Sequence, residues 1–183
     1  MEVQHPRLER ILRLARIAAK EGRIDDTHGY LEKAGKYAAK VGIEVPEATL
    51  QEVKHTAYIS GLEVALYHVI GDADGGLVDL ALDDLRKARK YAAELGVELS
   101  ETRLQEVEQT AYINRVKATL ESARIVAMEG RIDSAHYYLE EARVYAAELG
   151  LVISAAIFRE VEQTAHYYKN LNQELMDMIQ RLH

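Results

Sequence analysis

The chain of 183 residues contains no cysteine, only two prolines and a single phenylalanine. Without cysteine it forms no disulfide, holds no metal through a thiolate and uses no cysteine nucleophile. The shortage of proline, together with an abundance of Ala, Leu, Glu, Lys and Arg, favours helices over strands. The composition therefore predicts an all-α protein suited to a reducing compartment, and we expect it in the cytoplasm.

Two further absences concern partners. The formal net charge is −7, and Lys and Arg are interspersed with acidic residues rather than clustered. Nucleic-acid binders need a basic surface that displaces counterions from phosphates, so we expect no nucleic-acid partner. No apolar run is long enough to cross a bilayer, and the N-terminal segment lacks a basic stretch followed by an apolar one. We therefore expect neither a membrane span nor a signal peptide.

The sequence does contain an internal repeat. Residues 24–61, 78–115 and 132–169 align without a gap, and the Tyr-Ala-Ala motif that opens at Tyr37 recurs at Tyr91 and Tyr145, which sets the period at 54 residues. Such self-similarity over three copies indicates internal duplication. We interpret residues 1–183 as one helical repeat domain.

Each copy has the pattern of a short helix followed by a longer one. The short helix is expected to begin near an aspartate suited to an N-cap or first turn and to end at a glycine that can adopt a positive φ. These residues recur at the repeat period: Asp25, Asp79, Asp133, Gly42, Gly96 and Gly150. Short connections force neighbouring helices to lie antiparallel. We therefore expect seven helices in a solenoid-like or layered bundle of hairpins, with one long helix breaking early, at residues 71–76.

The short helix and the turn before it resemble the second half of a tetratricopeptide repeat. In that family a Gly between antiparallel helices is followed by Ala, a large apolar residue and Ala at fixed offsets. Three sets of residues follow this spacing: Gly130, Ala135, Leu139 and Ala142; Gly76, Ala81, Leu85 and Ala88; and Gly22, Leu31 and Ala34, with Thr27 at the first Ala position. The 54-residue period differs from the family's period of about 34.

This resemblance implies a non-enzymatic scaffold or adaptor that presents helical faces to a protein or peptide. The groove-facing positions that it implies are Glu9, Leu12, Arg16, Glu63, Leu66, Lys117, Leu120 and Arg124. Among them, the charged Arg16, Glu63, Lys117 and Arg124 are the expected partner-binding residues.

The last helix has a seam of residues at alternating spacings of three and four, as in helices that pack along their length. The series is Ile157, Val161, Thr164, Tyr168, Leu171, Leu175, Met178 and Leu182. Preceding helices of the same chain can cover its first part, but we expect no later helix to cover its last two turns. Either the first helix or a second copy of the chain then covers them, so self-association through this helix is a prediction.

One motif points to a different class of protein. Arg23 and His28, and again Arg131 and His136, share the Arg-x4-His spacing of the HEPN-type ribonucleases, an all-α family. In such an enzyme the arginine would hold a scissile phosphate while the histidine moves a proton. The middle copy has leucine at both positions, so a repeated turn without catalysis is the competing interpretation.

A second motif resembles half of a di-iron carboxylate site. Glu52 and His55 have the Glu-x-x-His spacing that places two ligands on one helical face. Gln109 and Gln163 replace the histidine in the other copies. We therefore expect no metal and no cofactor, although a ligand- or metal-binding bundle and a ribonuclease both stay open beside the scaffold.

Overall fold

The computed structural model describes residues 5–182, and for residues 179, 181 and 182 it describes the backbone alone. The described residues form seven helices and no strand, which confirms the all-α prediction. The helices are α1 (Pro6–Lys20), α2 (Ile24–Val41), α3 (Glu47–Asp74), α4 (Val78–Leu95), α5 (Glu101–Met128), α6 (Ile132–Glu148) and α7 (Ala155–Leu182). Helix α3 packs against α4, and α5 against α6, as antiparallel pairs. Every helix within the described residues falls short, in length or in apolar content, of what crossing a membrane requires.

The ends of the short helices follow from local chemistry. Each short helix has an aspartate in its first turn, where the carboxylate interacts favourably with the positive end of the helix dipole. Gly42, Gly96 and Gly150 have φ values of +71°, +66° and +67°, as predicted. The residue after each glycine donates its N–H to a carbonyl five residues earlier, for example Val97 to Ala92 at 2.9 Å. This bond closes the helix end.

The expected early break of α3 is wrong. The helix continues through Gly71 to Asp74, and the chain turns only at Gly75 and Gly76, where φ of the second glycine is +65°. Val69 and Ala73 flank Gly71 and are buried. A glycine inside a helix costs about 1 kcal/mol, and burial of these two side chains outweighs that cost.

The chain divides into two compact units. The first comprises Met1–Ile70 with Leu82–Leu104, and the second comprises Gly71–Ala81 with Gln105–His183. The core of the first unit includes Ala15, Ala19, Leu31, Val53 and Ala57. The core of the second unit includes Ala123, Ala127, Leu139, Val161 and Ala165. The two sets match position by position at an offset of 108 residues, twice the repeat period, so the internal repeat extends to the packing of the cores.

The turn before each short helix lies directly against the next long helix of the same unit. At Gly22, Gly76 and Gly130 φ is positive, and a Cβ atom would lie 3.0 Å from the Ser60 carbonyl oxygen, 2.8 Å from the Arg115 nitrogen and 2.7 Å from the Lys169 nitrogen, respectively. A side chain at these turns would meet backbone atoms that cannot move aside. Glycine is therefore required at each crossing, and the crossings fix positions 61, 115 and 169 at equivalent places.

Candidate functional site

The first half of the seam on α7 packs inside the second unit. Val161 and Ala165 are buried, and Ile157 and Phe158 pack against the same cluster. The prediction that helices of the same chain cover this part is therefore confirmed.

The second half of the seam is open. Leu171 is half-buried, whereas Leu175 and Met178 are 48% and 59% exposed. The neighbouring Met176 is 54% exposed. We call Leu171, Leu175 and Met178 the α7 stripe; the side chain of Leu182, the last member of the predicted seam, lies outside the described residues.

The repeat shows how the α7 stripe differs from the equivalent surface of α5. Aligning α7 with α5 at the 54-residue period places Leu171, Leu175 and Met178 at the positions of Lys117, Glu121 and Arg124, all exposed and charged. Three charged positions of one long helix are thus apolar in the next.

The face of α7 opposite the stripe is polar, whereas the equivalent face of α5 is buried. In α5, Thr119 and Ala123 are buried, and Ala123 belongs to the core shared with α6. Their equivalents in α7 are Gln173 and Asp177, both exposed. The C-terminal half of α7 therefore presents its apolar surface on the face where α5 is charged, and a polar surface where α5 packs.

The structure leaves the four predicted partner-binding residues on the surface. Arg16 of α1, Glu63 of α3, and Lys117 and Arg124 of α5 are all exposed. Arg124 forms a long ion pair with Glu160, at 4.0 Å. By contrast, the groove-facing Leu12 and Leu120 are half-buried and pack against the core clusters of their units, so the charged members of the predicted groove are the more exposed ones.

In both Arg-x4-His motifs the arginine is paired with a neighbouring carboxylate. Arg23 donates hydrogen bonds to Glu21 and Asp26, and His28 lies 3.4 Å from the Tyr58 hydroxyl. Each arginine is held by a nearby carboxylate, which would compete with a phosphate for the guanidinium.

The second motif repeats this arrangement. Arg131 donates to Glu129 at 3.1 Å, and His136 Nε2 lies 3.5 Å from Glu162. Among the described residues, no group of three or more His, Asp or Glu side chains is placed to hold a metal ion.

Sequence reasoning missed a cleft in the first unit, centred on Gly61 of α3. The cleft has a volume of about 430 Å³, and its lining includes the side chains of Tyr91 and Lys87 and the first turn of α2. Gly61 is buried and provides no side chain to fill the space. Tyr91 is half-buried, and burial is the main reason that the pKa of its hydroxyl is raised, followed by the nearby charge of Asp25.

An ion-pair network lies along one wall of this cleft. Asp84 is only 8% exposed, and its carboxylate accepts a hydrogen bond from Lys87 Nζ at 2.6 Å. Lys87 also lies 2.7 Å from Asp83, and His68 Nδ1 lies 3.7 Å from Asp84. Hydrogen bonds to these two aspartates raise the pKa of Lys87, and the bond with Lys87 lowers the pKa of Asp83.

The equivalent place in the second unit is filled. The residue at the position of Gly61 is Arg115, whose guanidinium donates a hydrogen bond to Glu141 and lies 5.4 Å from the centre of the Tyr145 ring. Tyr145 is the equivalent of Tyr91. The signal that could have found the cleft is therefore the pairwise change from Arg115 to Gly61 and from Glu141 to Lys87.

Tyr58 and Tyr112, each three residues before Gly61 or Arg115, form a second repeated contact with the tyrosine of the facing short helix. The rings of Tyr58 and Tyr91 lie 6.1 Å apart in the first unit, and those of Tyr112 and Tyr145 lie 6.3 Å apart in the second. Burial raises the pKa of Tyr58 and of Tyr112, with a smaller contribution from a glutamate of the facing short helix in each case.

Fold and site together define the protein as an all-α repeat of helical hairpins with an open apolar stripe on α7. Comparison of the chain with protein-family models, with curated proteins and with solved structures gave no match. The resemblance to tetratricopeptide repeats stays a prediction.

Proposed function

We propose that this protein is a non-enzymatic helical-repeat scaffold that associates with a second copy of itself through the α7 stripe. The observation that carries the proposal is the exchange of Lys117, Glu121 and Arg124 for apolar residues in α7, where those residues are exposed or half-buried. An exposed apolar surface of this kind is typical of a site of protein association.

The spacing of the α7 stripe favours a helical occupant. Its members continue the three-and-four seam with which Val161 packs within the chain, and such a seam fits side chains between those of another helix. A second α7 carries the same seam, so two copies related by a two-fold axis would bury the stripe on both sides.

The energy available suits a reversible dimer. Burying a Leu or Met side chain contributes about 1.5–3 kcal/mol. A symmetric pair buries each member of the stripe twice, and a substantial part of that gain offsets the lost freedom of the two molecules. We therefore expect a dissociation constant on the order of micromolar.

The charged positions on the other long helices supply the second part of the proposal. Arg16, Glu63, Lys117 and Arg124 are exposed and lie outside the α7 stripe, and we propose that they contact a protein or peptide partner. A ribonuclease is less well supported because the guanidinium groups of Arg23 and Arg131 are held by neighbouring carboxylates.

The test is the mass of the protein in solution. Light scattering behind size exclusion should give a dimer for the unchanged chain at tens of micromolar and a monomer for the double variant Leu175→Glu with Met178→Glu. The matched control is Ile125→Glu, an apolar residue of α5 that is 46% exposed and lies off the stripe. This variant should remain a dimer. A monomeric unchanged chain, or a double variant that still dimerises, would overturn the proposal.

A further inference from the structure

We propose that the cleft between α1 and α2 binds an acidic helix of a partner protein, whose carboxylates are held by Arg7 and Lys33. This inference concerns the first unit alone. It depends neither on self-association through α7 nor on the exposed charges of the other long helices.

Basic side chains surround this cleft. It has a volume of about 960 Å³, and the basic residues that line it are Arg7, Arg10, Lys33, Lys36 and Lys40. No Asp or Glu is among the described residues of its lining. The chain as a whole has a formal net charge of −7, so the fold collects at one place basic groups that the sequence intersperses with acidic ones. Such a local excess of positive charge attracts an anionic partner.

Most of these basic groups have no carboxylate of their own. Lys36 pairs with Glu32, one turn earlier on the same helix. The other four form no ion pair within the part of the chain that the structure describes, unlike Lys87 in the cleft around Gly61, which lies beside two aspartates. The basic groups of the α1–α2 cleft are therefore available to carboxylates from outside.

The repeat shows which group Arg7 lacks. Its guanidinium lies 5.4 Å from the centre of the Tyr37 ring, the distance at which Arg115 lies from its tyrosine in the second unit. There the guanidinium also donates to Glu141, but the residue of α2 at that position is Lys33. A carboxylate entering the cleft would accept charge-assisted hydrogen bonds from both basic groups, as Glu141 does from one.

Elsewhere in the repeat, a helix lies along the end of the short helix. In the first unit, the Tyr91 ring of α4 lies 6.1 Å from the Tyr58 ring of α3. Glu94, one turn further along α4, lines a cleft with Lys54 and His55 of the same half of α3. The first half of a long helix thus covers the end of α4, with basic side chains near its glutamate.

The end of α2 has no such helix among the described residues. Helix α1 has 15 residues and aligns with the second half of α3, which has 28. Tyr37 and Lys40 are the equivalents of Tyr91 and Glu94, and both line the open cleft. Because the charge at the second position is reversed, a helix lying here should carry acidic residues where α3 carries basic ones.

The apolar part of the lining favours an amphipathic helix over a flexible polyanion. Leu14 and Val41 are each 37% exposed and line the cleft together with Ile11. Apolar residues on one face of the partner helix would bury these side chains, while its flanking carboxylates reach the basic groups. We expect a dissociation constant on the order of tens of micromolar, rising as salt is added.

A single-stranded nucleic acid fits this cleft less well. Its bases would need open aromatic rings on which to stack. The two tyrosines of the cleft are half-buried, and Arg7 lies over the ring of Tyr37 while Lys33 lies over that of Tyr30, at 5.2 Å. Each ring is therefore already covered by a cation of the cleft itself.

The experiment is a titration of the full chain into a fluorescein-labelled peptide, held helical by a hydrocarbon staple over about four turns. In this peptide Leu and Tyr form one face and Glu residues flank it. The reference peptide has Gln in place of every Glu, because the two residues have similar helix propensity. Fluorescence anisotropy should give about tenfold tighter binding of the Glu peptide, and added salt should reduce the difference.

The first variant supplies the missing carboxylate from within the chain. Lys33→Glu places a carboxylate beside Arg7, as Glu141 stands beside Arg115, so it should weaken binding of the Glu peptide about tenfold or more. The chain already tolerates this pair in the second unit, so the variant should fold. The matched control is Lys20→Glu, the same change at an exposed residue of α1 outside the lining, and it should bind nearly as the unchanged chain does.

The second variant tests the apolar part of the cleft. Leu14→Gln should weaken binding of the Glu peptide about three- to fivefold, because an apolar contact is lost. Its matched control is Ile17→Gln, on the same helix and 40% exposed but outside the lining, which should leave binding unchanged.

Several outcomes would overturn the proposal. Equal binding of the Glu and Gln peptides would do so, as would a Lys33→Glu variant that binds the Glu peptide like the unchanged chain. Tighter binding of a mixed-sequence single-stranded RNA, or of vesicles that contain an anionic lipid, would assign the cleft to another class of partner. Loss of self-association in Lys33→Glu would make a second copy of this chain the occupant.

Discussion

The guanidinium of Arg115 lies 5.4 Å from the centre of the Tyr145 ring and donates a hydrogen bond to Glu141, joining α5 to α6. The side chain of Glu141 is only 17% exposed, so the pair is partly shielded from water. An ion pair in such a place contributes more than one on an open surface.

Replacing Arg115 with Ala should therefore lower the free energy of unfolding by about 1–2 kcal/mol, because Glu141 loses its partner in a poorly hydrated place. The free energy of unfolding of Arg115→Lys should lie between those of the unchanged chain and Arg115→Ala, since lysine keeps the charge but not the planar fork. The matched control is Lys169→Ala at the exposed equivalent position on α7, where we expect little change. Urea denaturation measures all three, and equal losses for Arg115→Ala and Lys169→Ala would contradict the assignment.

The turn glycines differ in what surrounds them. Gly130 and Gly150 both have positive φ, but a Cβ atom at Gly130 would lie 2.7 Å from the Lys169 nitrogen, whereas one at Gly150 meets nothing within 4 Å. Gly150→Ala should cost about 1 kcal/mol from backbone strain alone. Gly130→Ala should cost clearly more, about 3 kcal/mol or above, since α7 must move away from the turn. Thermal melts of the two variants test this, and a loss at Gly130 no larger than that at Gly150 would show that α7 does not cross there.

The raised pKa of Tyr58 predicts a dependence of stability on pH. Burial is its main cause, followed by the charge of Glu94. A group whose pKa is higher in the folded than in the unfolded chain stabilises the fold fully below the unfolded value, about 10 for tyrosine, and this contribution is lost as the pH rises from there through the folded value. Tyr58→Phe should therefore lose less stability than the unchanged chain between about pH 9 and pH 11.

The control for this prediction is Tyr137→Phe, since the Tyr137 side chain is 65% exposed. Denaturant midpoints measured over that pH range should follow the unchanged chain in this control. Parallel curves for all three proteins would mean that the Tyr58 hydroxyl is not shielded from water.

The ribonuclease alternative makes a prediction of its own. His136 lies beside Glu162 on an exposed surface, and Arg131 is paired with Glu129. We expect purified protein and His136→Gln to leave a fluorescent single-stranded RNA equally intact. Metal-independent cleavage by the unchanged chain that disappears in His136→Gln would instead place the protein among the ribonucleases and remove the scaffold proposal.

Local chemistry made much of the fold predictable. The helix end at Gly42, with its positive φ, and the helix starts with an aspartate in the first turn depend on neighbours only a few residues away. Both predictions are confirmed. The end of α3 was mispredicted at Gly71 because the burial of Val69 and Ala73, which no local pattern reveals, holds the glycine within the helix.

The candidate sites were predictable to different degrees. The α7 stripe is visible as a spacing of residues along one helix, so its position follows from the sequence. The cleft depends on Gly61 and Tyr91 meeting across two helices, and on Ile24 entering the space beside them. Comparison of the repeat copies reveals the change from Arg115 to Gly61, but only the packed structure shows that this change leaves a cleft.

Sedimentation equilibrium of the unchanged chain, beside the Leu175→Glu and Met178→Glu double variant, tests the central claim most directly. The account predicts a reversible monomer–dimer equilibrium for the unchanged chain, on the order of micromolar, and a single monomeric species for the variant at the same helical content. An unchanged chain that stays monomeric well above that concentration would contradict the proposal that α7 is the contact between copies. So would a double variant whose association constant equals that of the unchanged chain.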